Sequence, residues 1–192
     1  MKVTVSINLG GYAFTIDEDA YESLQDYIRS LEREFEGEES AREIISDIES
    51  RLAELFRQKL SNYKQVISVE DVREAAGVLG TPEAISGNDE AEKIPHASRR
   101  IYRDPDNRLL GGVSSGLAAW FNINMWLVRF LFILLACGGG FGVLLYIVLW
   151  VLLPEAKTTA QKIEMRGEPV TIGSIKESVK REFNTVKHKM NL

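Results

Sequence analysis

Residues 125–153, MWLVRFLFILLACGGGFGVLLYIVLWVLL, form a 29-residue apolar run whose only charge is Arg129. No other segment of the chain resembles it, and any fold must find somewhere to put it. An apolar run beyond ~18 residues reads as a transmembrane helix. At ~1.5 Å per residue this one reaches roughly 43 Å, longer than a ~30 Å hydrocarbon core. The excess centres on Gly138, Gly139, Gly140 and Gly142. In one folding, a single tilted helix is kinked or loosened at these glycines. In the other they make a turn between 125–137 and 141–153, two halves of about 20 Å each that form a re-entrant hairpin. Length favours the single span and three consecutive glycines favour the break; the expectation is one interrupted span. Arg129, one turn inside the run, is positioned to snorkel toward headgroups, or else to contact a partner helix or carbonyls freed at the break. Trp126, Tyr146 and Trp150 lie toward the ends, as interfacial aromatic anchors do. Cys137 is the only cysteine, so no disulfide or cysteine metal site forms within one chain, and its thiol is expected to be buried and inert.

Charge divides the chain in the same way. Residues 1–92 carry 9 Lys/Arg against 21 Asp/Glu, a net of −12, while residues 93–192 carry 14 against 7, a net of +7. An acidic front followed by a basic, apolar back is the pattern of a polar domain joined to a membrane-associating one, because anionic headgroups attract the basic flanks.

The segment ahead of the run, 99–124, opens with Arg99, Arg100, Arg103 and Arg108. By the positive-inside rule this side faces the cytoplasm. That agrees with the front of the chain, where Asp17, Glu18 and Asp19 interrupt what a secretion signal would keep apolar. Gly111, Gly112 and Gly116 interleave with Val113, Leu117, Ala118, Trp120 and Phe121. A short helix over 110–121 would be small on one side and apolar on another, suited to lying on a membrane or packing closely on a neighbour. A phosphate-binding loop is disfavoured, since the lysine of GxxxxGK[ST] is missing and no strand precedes the glycines.

Taken in order, the opening IYRDPDNRLLGGV, Gly116-Leu117-Ala118, Phe121, Val128-Arg129, the glycine cluster, Tyr146, Trp150 and the closing Pro154-Glu155 resemble the phage shock protein C (PspC) domain over roughly 99–155. Where family members often carry cysteine, this chain has Ser114. The resemblance implies a cytoplasmic-membrane protein of the envelope-stress response that relays damage to phage shock partner proteins. The front of the chain, beginning INLGGYAFTIDEDAYESL, also resembles chains from Bacteroidetes-type bacteria that carry this domain.

In the front domain, over 1–85, Val3, Val5, Ile7 and Leu9 alternate with polar residues. Gly10-Gly11 supplies a tight turn, and Tyr12, Phe14 and Ile16 resume the alternation, predicting a β-hairpin. Asp17 precedes a helix with Ala20, Leu24, Tyr27, Ile28, Leu31 and Phe35 at helical spacing. A second helix from about Ser40 carries Ile44, Ile45, Ile48, Leu52, Leu55, Phe56 and Leu60. A third, capped by Ser68, runs over 69–79 to Gly80. The fold class expected is therefore a small acidic α+β domain, ββααα, followed by an α-helical membrane segment and an amphipathic C-terminal helix. A net charge of −12 opposes nucleic acid. The acidic run Glu32, Glu34, Glu36, Glu38, Glu39 reads as a solvated face rather than a metal site.

Residues 86–98, including His96, read as a flexible linker. The basic tail over 156–192 shows an amphipathic pattern from about Ile172, with Ile175, Val179, Phe183 and Val186 opposite Lys176, Lys180, Arg181, Lys187 and Lys189. It suits a membrane surface or a protein partner, and a single span would export it. With His96 and His188 the only histidines, no nucleophile, acid/base pair or metal cluster assembles, so an enzyme is not expected, nor a cofactor or small-molecule substrate. The function expected is a membrane-anchored stress sensor or regulatory adaptor in the inner membrane with its front domain cytoplasmic. Its partners would be the lipid bilayer and proteins, either phage shock proteins or further copies of itself. The alternative is a structural anchor or oligomeric scaffold. The residues expected to serve the membrane or interaction role are Arg103, Arg108, Gly111, Gly112, Gly116, Arg129, Gly138, Gly139, Gly140, Gly142, Tyr146 and Trp150.

Overall fold

The structure, a computed structural model, describes residues 3–81 and 100–190, with side chains as far as His188. The linker expected over 86–98 lies outside the described residues. Among those described, the chain forms β1 (Thr4–Leu9), β2 (Tyr12–Asp17), α1 (Glu18–Glu34), α2 (Ala41–Lys59), β3 (Val66–Ile67) and α3 (Val69–Leu79). There follow α4 (Val113–Phe121), α5 (Met125–Cys137), α6 (Phe141–Leu152), α7 (Thr159–Arg166) and α8 (Ile172–Met190). Two compact units result. The first combines the front of the chain with everything from Val170 onward, and the second lies between them in sequence.

In the first unit β1 and β2 pair antiparallel, with Leu9 opposite Tyr12. Gly10 and Gly11 take φ of 55° and 82°, the left-handed pair that a two-residue hairpin turn requires. A side chain at Gly10 would also meet the backbone of α2, since its Cβ would lie 2.8 Å from Ser50 Cα. The hairpin is not alone: β3 adds in parallel to β2, pairing Thr15 with Val66 and Ile16 with Ile67. The ββααα expectation is corrected to a three-stranded sheet of order β1-β2-β3 with helices on it. Two residues are too few to show a period of two, so β3 left no alternation to read.

The core comprises Phe14, Ile16, Leu24, Leu31, Phe35, Ile44, Ile48, Leu52, Phe56, Ile67 and Val72, each no more than 4% exposed. Phe14 meets Phe56 edge-on, ring centroids 5.8 Å apart. At the start of α3 the expected Ser68 cap is a full capping box with Asp71, whose Oδ2 accepts from the Ser68 amide at 2.9 Å. Lys64 donates to the same carboxylate at 2.7 Å. Burial works against the charged form of Asp71, but these donors outweigh it and hold the carboxyl below its usual range. Tyr27 donates to the Gly80 carbonyl at 2.8 Å, and burial raises its hydroxyl well above the ordinary tyrosine value.

The tail helix belongs to this unit. Ile172, Ile175 and Val179 are buried, and α8 packs on α2. Lys176 and Lys180 both reach Glu38 at 3.1 Å, and Lys187 reaches Glu39 at 3.0 Å. The Lys176 ammonium also stands 5.2 Å from the centre of the Phe35 ring. The acidic run is thus not only a solvated face, because its last two members hold the basic tail. Partial burial alone would raise the Glu38 carboxyl, yet Lys176 and Lys180 hold it below its ordinary value. The amphipathic stripe narrows toward its end, with Phe183 half-buried and Val186 exposed.

The second unit is a helical hairpin on a short base. The apolar run is two helices, α5 and α6, packed on each other across a turn at Gly138–Gly140, and not one interrupted helix. Phe132 and Tyr146, equally far from the turn, meet edge-on at 5.2 Å. Among the described residues no helix is long and apolar enough to cross a membrane, which corrects the expected transmembrane helix. Cys137, expected buried, is exposed at the end of α5.

Candidate membrane-facing site

The base of the hairpin is organised around Arg103. Its amide donates to the Pro154 carbonyl at 2.8 Å and its carbonyl accepts from the Ala156 amide at 3.0 Å, so the chain entering the unit pairs with the chain leaving it. The side chain ties down both ends: Nε donates to the Leu153 carbonyl at 2.8 Å and Nη1 to Gly111 at 3.2 Å. Glu155 lies 3.7 Å from Nη2. Arg103, expected as a membrane-proximal charge, is therefore a structural clasp, whereas Arg108 projects exposed.

Asp104, which sequence reasoning did not single out, is 7% exposed and turns the following loop. Its carboxylate accepts from the Asp106 amide at 2.9 Å and from the Asn107 side chain at 3.0 Å. The Asp-Pro-Asp-Asn run was the available signal, since Asp and Asn side chains cap such turns. Sequence reasoning also missed α7, which closes the base. Tyr102 donates to Glu164 at 3.2 Å and packs with Ala156, Met165 and Ala119. Burial, then the Glu164 charge, raises the Tyr102 hydroxyl above its ordinary value. Lys162 reaches Asp106 at 2.9 Å.

The base glycines have a common reason, close approach. A Cβ at Gly112 would sit 2.2 Å from the Asp104 carbonyl oxygen, and one at Gly116 would sit 2.0 Å from that of Tyr102. At Gly111 the obstacle is the Trp150 indole, 2.8 Å away. α4, expected over 110–121, starts only at Val113 because Gly111 and Gly112 take left-handed φ of 63° and 78°. Gly142 serves the helix crossing, where a Cβ would fall 2.5 Å from the Ala136 amide nitrogen. At the tip, Gly138 and Gly140 donate back to Leu134 and Ala136 at 3.1 and 2.9 Å, and the Gly140 carbonyl accepts from Val143 at 3.1 Å. Gly139 and Gly140 take φ of 118° and 78°. The turn satisfies these backbone groups internally.

Tyr146 donates its hydroxyl to the Leu110 carbonyl, binding α6 to the glycine loop. Arg129 donates to the Asn107 carbonyl at 2.9 Å, and its guanidinium stands 5.0 Å from the Trp126 ring. What the hairpin buries is one narrow seam. Fourteen large apolar side chains of α5 and α6, from Trp126 to Leu152, are 42–80% exposed. A contiguous apolar face of this extent marks a protein or membrane contact.

The structure thus brings together Arg103, Gly111, Gly112, Gly116, Tyr146 and Trp150 at the base, and Gly138, Gly139, Gly140 and Gly142 at the tip. Among the described residues no group of three or more His, Cys, Asp or Glu side chains is placed to hold a metal ion. No curated protein and no solved structure matches the chain. The PspC domain family does match, over residues 99–156. That match covers the Arg103 clasp, the close-packed glycines and the exposed hairpin together, and residues 99–156 of the second unit are identified as a PspC domain.

Proposed function

We propose that the chain is a non-catalytic, membrane-anchored regulatory adaptor of the phage shock protein C type. The hairpin seats in the cytoplasmic membrane from one side, and the first unit works in the cytoplasm, meeting protein partners. The observation that carries this reading is the fourteen-residue apolar face on a hairpin whose two ends are joined by Arg103. Each helix, at 13 and 12 residues, is about 20 Å long and enters a ~30 Å hydrocarbon core without crossing it. Internal hydrogen bonding at the tip supports the seat, since lipid supplies no partners for backbone groups. Arg100 and Arg108 are exposed on the chain that enters the base, and such basic charge favours anionic headgroups there. Docking of α8 on α2 supports placing both flanks of the hairpin on one side.

A second reading, a structural anchor or oligomeric scaffold without a signalling role, has one observation in its favour: the base glycines are fully accounted for by packing within the unit. Crosslinking in normal and membrane-stressed cells separates the two. An adaptor exchanges partners under stress, while constant partners would leave only the scaffold.

The anchor itself is tested by floating the purified chain with vesicles. Topology is tested by placing single cysteines at Tyr63 and Thr185, both exposed, in a Cys137→Ala background. An impermeant thiol reagent should spare both in intact spheroplasts and reach both after permeabilisation. Labelling at Thr185 alone in intact spheroplasts would sink the one-sided seat.

A further inference from the structure

Between α4 and the hairpin lies a cavity of about 540 Å³, within the ~300–1,000 Å³ typical of ligand sites. Its lining is graded along the hairpin. Trp126 and Arg129 stand at the base end of α5, while Phe132, Ile133 and Val143 line it toward the tip. Two of its polar groups have bonding capacity left over. Arg129 uses its guanidinium on the Asn107 carbonyl and on the Trp126 face, and no carboxylate pairs with it among the described residues, leaving donors of a planar fork free. Ser114 is 7% exposed, lines the cavity, and has no hydrogen-bond partner for its hydroxyl among the described residues. Lying on the cavity wall, that hydroxyl is open to bond an occupant.

We propose that this cavity binds one anionic phospholipid, its phosphate on Arg129 and one acyl chain along Phe132, Ile133 and Val143 toward the tip. The polarity gradient of the lining matches that of a lipid standing in the same leaflet as the hairpin. Charge selects the anionic headgroup: Arg129 on the cavity wall lacks a carboxylate partner among the described residues, whereas a zwitterionic headgroup would bring a second cation beside it. This site rests on the membrane seat proposed above, and the experiment separates the two.

The full-length chain, solubilised in detergent, is incubated with phosphatidylglycerol or phosphatidylcholine and examined by native mass spectrometry, and in parallel is floated with phosphatidylcholine vesicles. The expected result is a single retained phosphatidylglycerol, preferred about tenfold, about 1.4 kcal/mol, because the quaternary ammonium of phosphatidylcholine competes with Arg129 for the phosphate. Arg129→Gln should erase the preference, Arg129→Lys should keep most of it, and Ile133→Trp should fill the cavity and end retention of either lipid. All variants should still float. Flotation of the wild type with no lipid retained, with equal retention of both lipids, or as a lipid-free dimer would overturn the site and leave the anchor standing. Failure of the wild type to float would remove both.

Discussion

In the first unit Phe35, Ile44, Leu52 and Phe56 are wholly buried, whereas in the second Trp126, Phe130, Leu134 and Phe141 are 54–68% exposed. The residue types are alike, so hydrophobicity does not account for the difference; the layering does. A three-stranded sheet with helices on it gives the core-facing stripes of the first unit opposing surfaces. Two helices meeting at Gly142 cover only one stripe of each other, so the remaining faces of the hairpin stay exposed. Ion pairs form in both units: Glu38, Glu39 and Asp71 are paired across elements in the first, and Arg103 and Lys162 are paired in the second, where Arg108 has no carboxylate partner among the described residues.

The most severe way to break this comparison is to remove the close contact that lets the second unit exist. Gly116→Ala places a methyl group 2.0 Å from the Tyr102 carbonyl oxygen. It should destabilise that unit by more than about 3 kcal/mol, read as protease cutting within residues 100–169 while the first unit resists. Next comes a matched pair. Phe56→Ala should lower denaturant stability by about 3–5 kcal/mol without changing flotation. Phe130→Ala should change denaturant stability in water by no more than about 0.5 kcal/mol, and should weaken vesicle binding by roughly 1.5–3 kcal/mol. Equal losses of aqueous stability in the pair would erase the distinction between the units.

A smaller effect is expected with pH. The folded state holds the Glu38 and Asp71 carboxyls below their ordinary values, so their contribution is present at neutral pH and is lost as pH falls from about 5 toward 3. Glu38→Gln should flatten that acid limb of an unfolding-against-pH profile, and an unchanged limb would detach the tail lysines from the stability of the unit. Least of all, Lys187→Ala should shift denaturant stability by less than about 0.5 kcal/mol, because both it and Glu39 are largely exposed.

The front domain was legible because its signals are local. Alternation through Val5 and Ile7, the Gly10-Gly11 turn and the Ser68 cap each act within a few residues, and all stand where expected. The glycines of the base were legible as positions of close approach, though not what approaches them, because the carbonyls of Tyr102 and Asp104 are named only by the fold. The hairpin was half legible: its two helices fall on the expected halves, but length argued for one span. Length counts residues and carries no record of the Arg103 pairing that brings the far end back. Docking of the tail was not legible. Ile175 and Val179 make an amphipathic stripe that suits a membrane or a protein surface equally, and only the placement of Glu38 and Phe35 selects the latter.

That the first unit is assembled from both ends of the chain sets an order of events during synthesis. The segment that completes it, from Ile172 onward, is translated after the hairpin. At ~5–20 residues per second, roughly 5 to 20 seconds separate the end of α3 from the start of α8. Throughout that interval the surface around Phe35 and α2 lacks α8, and Glu38 lacks Lys176 and Lys180. A newly made chain therefore passes through a state in which the face of α2 that α8 covers is open, and a nascent chain stalled before Ile172 would hold that state long enough to be trapped.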